Sequence, residues 1–179
     1  MNGDFLVILP NNSKHYDDMK RKVELSTYSI VLTVAVIGLF VILMINYLNS
    51  GLEWIAYVFA ALLVAQCTLA MYFTPISISV EDGCLNINMV LRSKSIPLSD
   101  IQSVALCPPT MSEKRLLGSG GFFGYWGRFS EPSIGRYFAY YGKASDCFLV
   151  RLKDGRLYML GCVDPLGIME CINSNIVAR

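Results

Sequence analysis

The stretch from 118 to 142 is where residue types and spacing come nearest to a chemical site. Gly118, Gly120, Gly121, Gly124, Gly127, Gly135 and Gly142 are interleaved there with nine aromatic residues, which leaves three readings. A nucleotide loop needs Gly-x-x-x-x-Gly-Lys-Ser/Thr, or Gly-x-Gly-x-x-Gly between a strand and a helix. The run Gly118-x-Gly120-x-x-Phe123 lacks the third glycine and is followed by strand-like sequence. A packed element would use the glycines for turns and bulges and the rings for a core. A binding tip would expose Phe122, Phe123, Tyr125 and Trp126 to lipid headgroups or a protein partner, hinged on Gly118, Gly120 and Gly121 and flanked by Arg128. These eight residues are the candidate interaction loop, and packing and binding both stay open for them.

Other reactive side chains are dispersed. Cys67, Cys84, Cys107, Cys147, Cys162 and Cys171 contain no Cys-x-x-Cys pair, and the single histidine, His15, lies in the N-terminal segment. Metal ligation needs clustered ligands, so free thiols and no metal site are expected. Asp82, Asp100, Asp154 and Asp164 each fall at a turn or cap, where a short carboxylate has structural work. No Gly-x-Ser-x-Gly motif is present. We therefore expect no catalytic residues, no cofactor and no enzyme activity. A net charge of +1 gives no basic face for nucleic acid.

The elements that must position the loop begin with two apolar runs, 26–48 and 54–73, neither containing Asp, Glu, Lys or Arg. At 1.5 Å per residue they extend about 34 and 30 Å, against a hydrocarbon core of about 30 Å. This predicts a transmembrane helical hairpin over 26–73, preceded by an N-terminal segment, 1–25. A cleaved leader is not expected, because the first run begins late and a second spanning run follows it at once. Lys14, Lys20, Arg21 and Lys22 precede the first run, the connecting turn carries no cation, and the other eleven follow Phe73. Positive charge marks the cytoplasmic side, so both termini are expected there, in a bacterial inner membrane. With no charge inside either helix, a transport path is not indicated. The Phe5–Leu9 cluster, ended by Pro10, is too short to span and reads as a strand or docking segment.

From residue 74 the pattern changes to short alternating runs. Ile76, Ile78 and Val80, then Leu85, Ile87 and Met89, flank Glu81-Asp82-Gly83 as a hairpin. Segments 95–98 and 101–106 read as further strands, with Pro97 implying an edge or irregular position. Residues 137–141, 147–152 and 156–160 read as a meander. Asp164-Pro165 then starts a helix with Leu166, Met169, Ile172 and Ile176 on one face.

These strands, the Ile-Pro-Leu-Ser-Asp-Ile segment at 96–101, the Lys-Asp-Gly-Arg turn at 153–156, the capped C-terminal helix and the glycine-aromatic run at 118–129 together resemble the bacterial pleckstrin-homology-like domains of small membrane proteins, over about 76–177. The resemblance implies an α+β fold over 74–179: a strongly bent antiparallel sheet of about seven strands, capped by the terminal helix. It also implies an interaction role without a catalytic centre. Phosphoinositide-binding versions gather cations around the first hairpin turn. Here that turn is Glu81-Asp82-Gly83, and the nearest basic pair is Arg92 and Lys94. The expected function is a membrane-anchored interaction module for protein assembly or regulation at the cytoplasmic face. Its partners are the bilayer and a protein, with a homo-oligomer allowed. One alternative is lipid-surface recognition through the loop; another is a structural subunit that meets partners through its membrane helices.

Overall fold

The computed structural model describes residues 19–110 and 112–177, with side chains as far as Asn175. The expectations for Phe5–Leu9, Lys14, His15 and the Ile176 side chain lie outside the described residues. The order is β1 (Met19–Lys22), α1 (Thr27–Asn49), α2 (Glu53–Phe73), β2 (Pro75–Glu81), β3 (Cys84–Met89), β4 (Ser93–Pro97), β5 (Ile101–Leu106), β6 (Lys114–Gly121), β7 (Gly124–Glu131), β8 (Gly135–Tyr141), β9 (Cys147–Leu152), β10 (Leu157–Gly161) and α3 (Pro165–Val177). Two apolar helices, a sheet region and a terminal helix thus follow in the expected α+β layout.

Both long helices are apolar enough to cross a membrane. Ser26 caps α1 by accepting a hydrogen bond from Ser29 N at 3.1 Å, which satisfies one of the free amides at a helix start. The helices pack on each other through Phe59, whose ring meets Phe40 edge-on and stacks on Tyr47. Most of their other side chains, among them Val31, Val34, Ile42 and Val64, face outward.

The strands form two sheets, ordered β1-β2-β3-β4 and β5-β9-β10-β8-β7-β6. The β2–β3 turn is the expected Asp82-Gly83, with φ of 52° and 69°, as a twist-matched two-residue hairpin requires. Pro97 closes β4, an edge strand, as its missing N–H demands.

Three features depart from the sequence expectation. The described residues contain ten strands rather than about seven, because the glycine-aromatic run itself forms β6 and β7, and Met19–Lys22 adds an edge to the first sheet. Met19, Arg21 and Val23 turn inward while Lys20 and Lys22 face solvent, so a period of two was present beneath a basic run. Next, β8, β9 and β10 are not a simple meander: β10 lies between β9 and β8 and pairs in parallel with β8. β9 instead takes β5 as its second neighbour. Finally, the buried face of α3 is Ile168, Cys171 and Ile172, whereas Leu166 is exposed. Asp164 sets this rotation, since its Oδ1 accepts from Gly167 N at 3.1 Å and its φ is +63°.

The main core lies between the first sheet, one face of the second and α3, and includes Ile78, Leu85, Ile87, Phe148, Tyr158 and Ile172. A smaller cluster of Phe129, Tyr137, Ala139, Tyr141, Cys147 and Met159 fills the other face of the second sheet. β10 is buried on both sides. Truncating Ile172→Ala in the purified full chain should cost about 2–5 kcal/mol of unfolding free energy. Leu166→Ala should stay within about 0.5 kcal/mol; denaturant titration of the two variants checks the assignment of the α3 face.

Candidate functional site

All eight candidate loop residues lie on the β6–β7 hairpin. Gly118, Gly120 and Gly121 belong to β6, Phe122-Phe123 make the two-residue turn, and Tyr125, Trp126 and Arg128 belong to β7. The turn is gripped from both helices. Phe123 N donates to Thr33 Oγ1 of α1 at 2.9 Å, and Thr74 Oγ1, directly after α2, donates to Phe123 O at 3.1 Å. Thr33 in turn donates to Ser29 O at 2.7 Å, so its buried hydroxyl is used as donor and acceptor. Phe123 has φ +53°, a left-handed conformation that costs a bulky residue of order 1 kcal/mol or more. Both of its backbone polar groups are held by the threonines.

Alternation along β7 then divides the hairpin between two surfaces. Trp126, 7% exposed, stacks on Phe73 at the end of α2, with ring centroids 5.2 Å apart. The Arg92 guanidinium lies over the rings of Tyr72 and Phe73, 4.4 and 4.8 Å from their centroids. Tyr125 faces the other way and stacks on Tyr141 at 4.7 Å. Arg128 is exposed beside the Phe138 ring. Two glycines give the chain leading into α1 its path: a Cβ on Gly142 would collide with the Glu24 backbone, and one on Gly121 would lie 2.8 Å from Leu32 and 2.9 Å from Tyr28.

Where α2 meets the hairpin, a cavity of about 610 Å³ opens between Leu69 and Phe73 on one side and Trp126, Tyr140, Arg92 and Arg128 on the other. A second of about 300 Å³ adjoins it, bringing Gln66 of α2 to Arg115 and Phe122. Trp126 lines both, and its buried Nε1 has no acceptor among the described residues. Burial raises the Tyr140 phenol, with Arg92 pulling the other way. Arg92, Arg115 and Arg128 form no ion pair among the described residues.

The opposite face is acidic and closed. Glu113 accepts from Tyr137 Oη at 2.6 Å and from Tyr141 Oη at 3.1 Å. Glu131, 1% exposed, accepts from Thr110 Oγ1 at 2.6 Å. Burial first, and then the Glu113 carboxylate, push the Tyr137 and Tyr141 phenols far up, so both stay protonated and donate. Burial likewise raises the Cys107 and Cys147 thiols and takes Cys162 to about 12, which leaves these three as thiols at neutral pH. No group of three or more His, Cys, Asp or Glu among the described residues is placed to hold a metal ion.

Sequence reasoning identified the hairpin by composition but missed what grips it. Thr33 is a polar residue inside an apolar run and Thr74 directly follows the second run; nothing local names Phe123 as their shared partner. Arg92 stood out as a nearby cation, without its ring contacts.

A family model described as "Bacterial PH domain" matches residues 76–176. Neither the curated proteins nor the solved structures contain a match.

Thr33→Val with Thr74→Val removes both side-chain partners of Phe123 and should lower stability by about 2–6 kcal/mol, since each orphaned group costs about 1–3 kcal/mol. Adding Phe123→Gly should recover part of the loss; thermal unfolding checks both, and Trp126 emission in a Trp54→Phe background reports on the joint. A second expectation concerns alkali. Tyr137 and Tyr141 titrate above their ordinary value of 10 in the folded chain, so the folded state holds protons that the unfolded state releases. Their contribution is complete below pH 10 and is lost as pH rises beyond it, and Tyr141→Phe should flatten that decline in a stability–pH series.

Proposed function

Because the chain belongs to the bacterial PH domain family, we propose that it is a membrane-anchored interaction module, its bent sheet held at fixed height against the cytoplasmic leaflet to serve protein assembly or regulation there. The observation that carries this reading is the joint between hairpin and helices. Phe123 is bonded to Thr33 and Thr74, and Trp126 is stacked on Phe73, so the sheet is coupled rigidly to two helices of membrane-crossing length and composition. Charge supports the orientation, since Lys20, Arg21 and Lys22 lie before α1 and the α1–α2 turn has no cation.

Depth supports a role for the bilayer itself. The turn meets α1 at Tyr28, Leu32 and Thr33, within about 9 Å of the helix start at 1.5 Å per residue. In a spanning α1, Phe122 and Phe123 would lie at the interfacial level, where aromatic rings are favoured. For a protein partner the open surface is the outer edge of β6. Among the described residues that strand pairs on one side only, and its residues from Lys114 to Leu117 are exposed; an edge with unpaired backbone groups can accept a further strand.

Two measurements in intact cells test the proposal. In a background with the native cysteines replaced, Glu53→Cys should react with an impermeant maleimide from outside, and Asp82→Cys only after lysis; the reverse pattern overturns the orientation. A photo-crosslinker at Lys114 or Leu116 should capture a discrete partner, or a second copy of the chain. Crosslinks confined to exposed helix positions such as Val34 and Val64 would transfer the interaction to the membrane helices.

A further inference from the structure

We infer that the cleft between α2 and the β6–β7 hairpin is a binding site for one anionic phospholipid of the cytoplasmic leaflet, its phosphate held by Arg92 and Arg128 and an acyl chain lying along Leu69 and Phe73. The inference rests on the proposed membrane crossing and goes beyond it, because it assigns a ligand class to a site away from the β2–β3 turn.

The two ends of the cleft differ in chemistry. Its floor and α2 wall are apolar, supplied by Leu69, Phe73 and Trp126, while the rim carries Arg92 and Arg128. Neither arginine is in an ion pair among the described residues. Arg92 has been drawn inward over two rings, an arrangement that orients a guanidinium but leaves its charge unneutralised. An arginine pair with no ion-pair partner among the described residues, above an apolar wall, matches a phosphodiester attached to a hydrocarbon chain. At about 610 Å³ the cavity has room for a headgroup with the first part of a chain.

Position selects the source of that phosphate. Leu69 and Phe73 lie on the last turns of α2, and Leu69 is half exposed, so the apolar side of the cleft opens toward the hydrocarbon that would surround the helix. A water-soluble phosphate would use the arginines and leave the wall bare. The adjoining cavity extends the same logic, with Arg115 beside Gln66 at the level of Phe122. Trp126 contributes a buried Nε1–H without an acceptor among the described residues, a donor that a lipid oxygen can satisfy. The first hairpin turn offers no comparable chemistry, since Glu81 and Asp82 would repel a phosphate.

The test uses the full-length chain in detergent, with phosphatidylglycerol and phosphatidylcholine of identical chains added in equal amounts, and native mass spectrometry as the readout. The wild type should retain phosphatidylglycerol at least tenfold in preference. Arg128→Gln should cut that preference roughly fivefold, the effect of one cation beside an anionic headgroup, and Arg92→Gln with Arg128→Gln should abolish it. Leu69→Trp, which fills the apolar wall without altering charge, should reduce retention of both lipids. Lys153→Gln, at a residue that lines neither cavity, should change nothing. Equal retention of the two lipids by the wild type, or an unchanged preference in Arg128→Gln, overturns the inference, and because Arg128 is exposed, its variant does not depend on a core contact. Displacement of phosphatidylglycerol by millimolar glycerol 3-phosphate would also overturn it, by showing a headgroup site with no use for the chain. The maleimide experiment is independent of these outcomes: if Glu53→Cys fails to label from outside, the membrane reading falls, and if it labels while the lipid preference is absent, only the cleft does.

Discussion

The backbone of Phe123 is the point on which the arrangement depends. A residue with φ +53° at a hairpin turn normally gives way to glycine, because the left-handed region penalises a side chain. Here the conformation is held by a hydroxyl from each helix. Thr33 can serve only if α1 begins where Ser26 caps it, and Thr74 only if α2 ends at Phe73. Helix boundaries and sheet position therefore constrain one another. Once the turn is fixed, β7 can place Trp126 on Phe73, and the chain entering α1 passes close to Gly142, directly after β8, where no side chain fits. The glycines and aromatics of this stretch thus perform one task, a close joint between a sheet and two helices.

What was legible in the sequence was whatever depends on near neighbours. The helices follow from apolar run length, the β2–β3 hairpin from Asp82-Gly83, the edge position of β4 from Pro97, and the start of α3 from Asp164. What was not legible depends on partners far along the chain. β9 and β10 have ordinary strand patterns in either arrangement, and only the competition of β5 for β9 decides that β8 pairs with β10. β1 was hidden by its cations, although Met19 and Val23 pack against the core and Arg21 meets Asp164 at 3.2 Å. For the hairpin, composition identified the residues and alternation separated them, since Tyr125 and Trp126 must face opposite sides of a strand. Neither indicates that one side belongs to the helices and the other to a cluster around Glu113.

That separation carries through the second sheet. On one face, Glu113 and Glu131 are enclosed with the Tyr137 and Tyr141 hydroxyls and Thr110; their acceptors are satisfied locally, apart from Glu131 Oε2. On the other, Arg92 and Arg128 lie against rings, Arg115 lines the adjoining cavity, and none of the three forms an ion pair among the described residues. A net charge of +1 conceals this, because the sum cancels what the sheet keeps apart. Glu113 has its donors in the Tyr137 and Tyr141 hydroxyls, whereas guanidiniums at an open cleft leave a positive field over the face next to α2.

Arg92 shows how that field is kept. The last turn of α2 contains no basic residue, yet the end of a helix exposes carbonyl oxygens that favour a cation. Arg92, supplied by the β3–β4 connection, stands over Tyr72 and Phe73 at that end, so helix dipole and ring faces both attract it. These are partial charges and quadrupoles; they set the position of the guanidinium without cancelling its unit charge. A carboxylate there would have stabilised the same position and removed the field. Holding the cation by rings and dipole keeps it fixed in place and still available to an incoming anion.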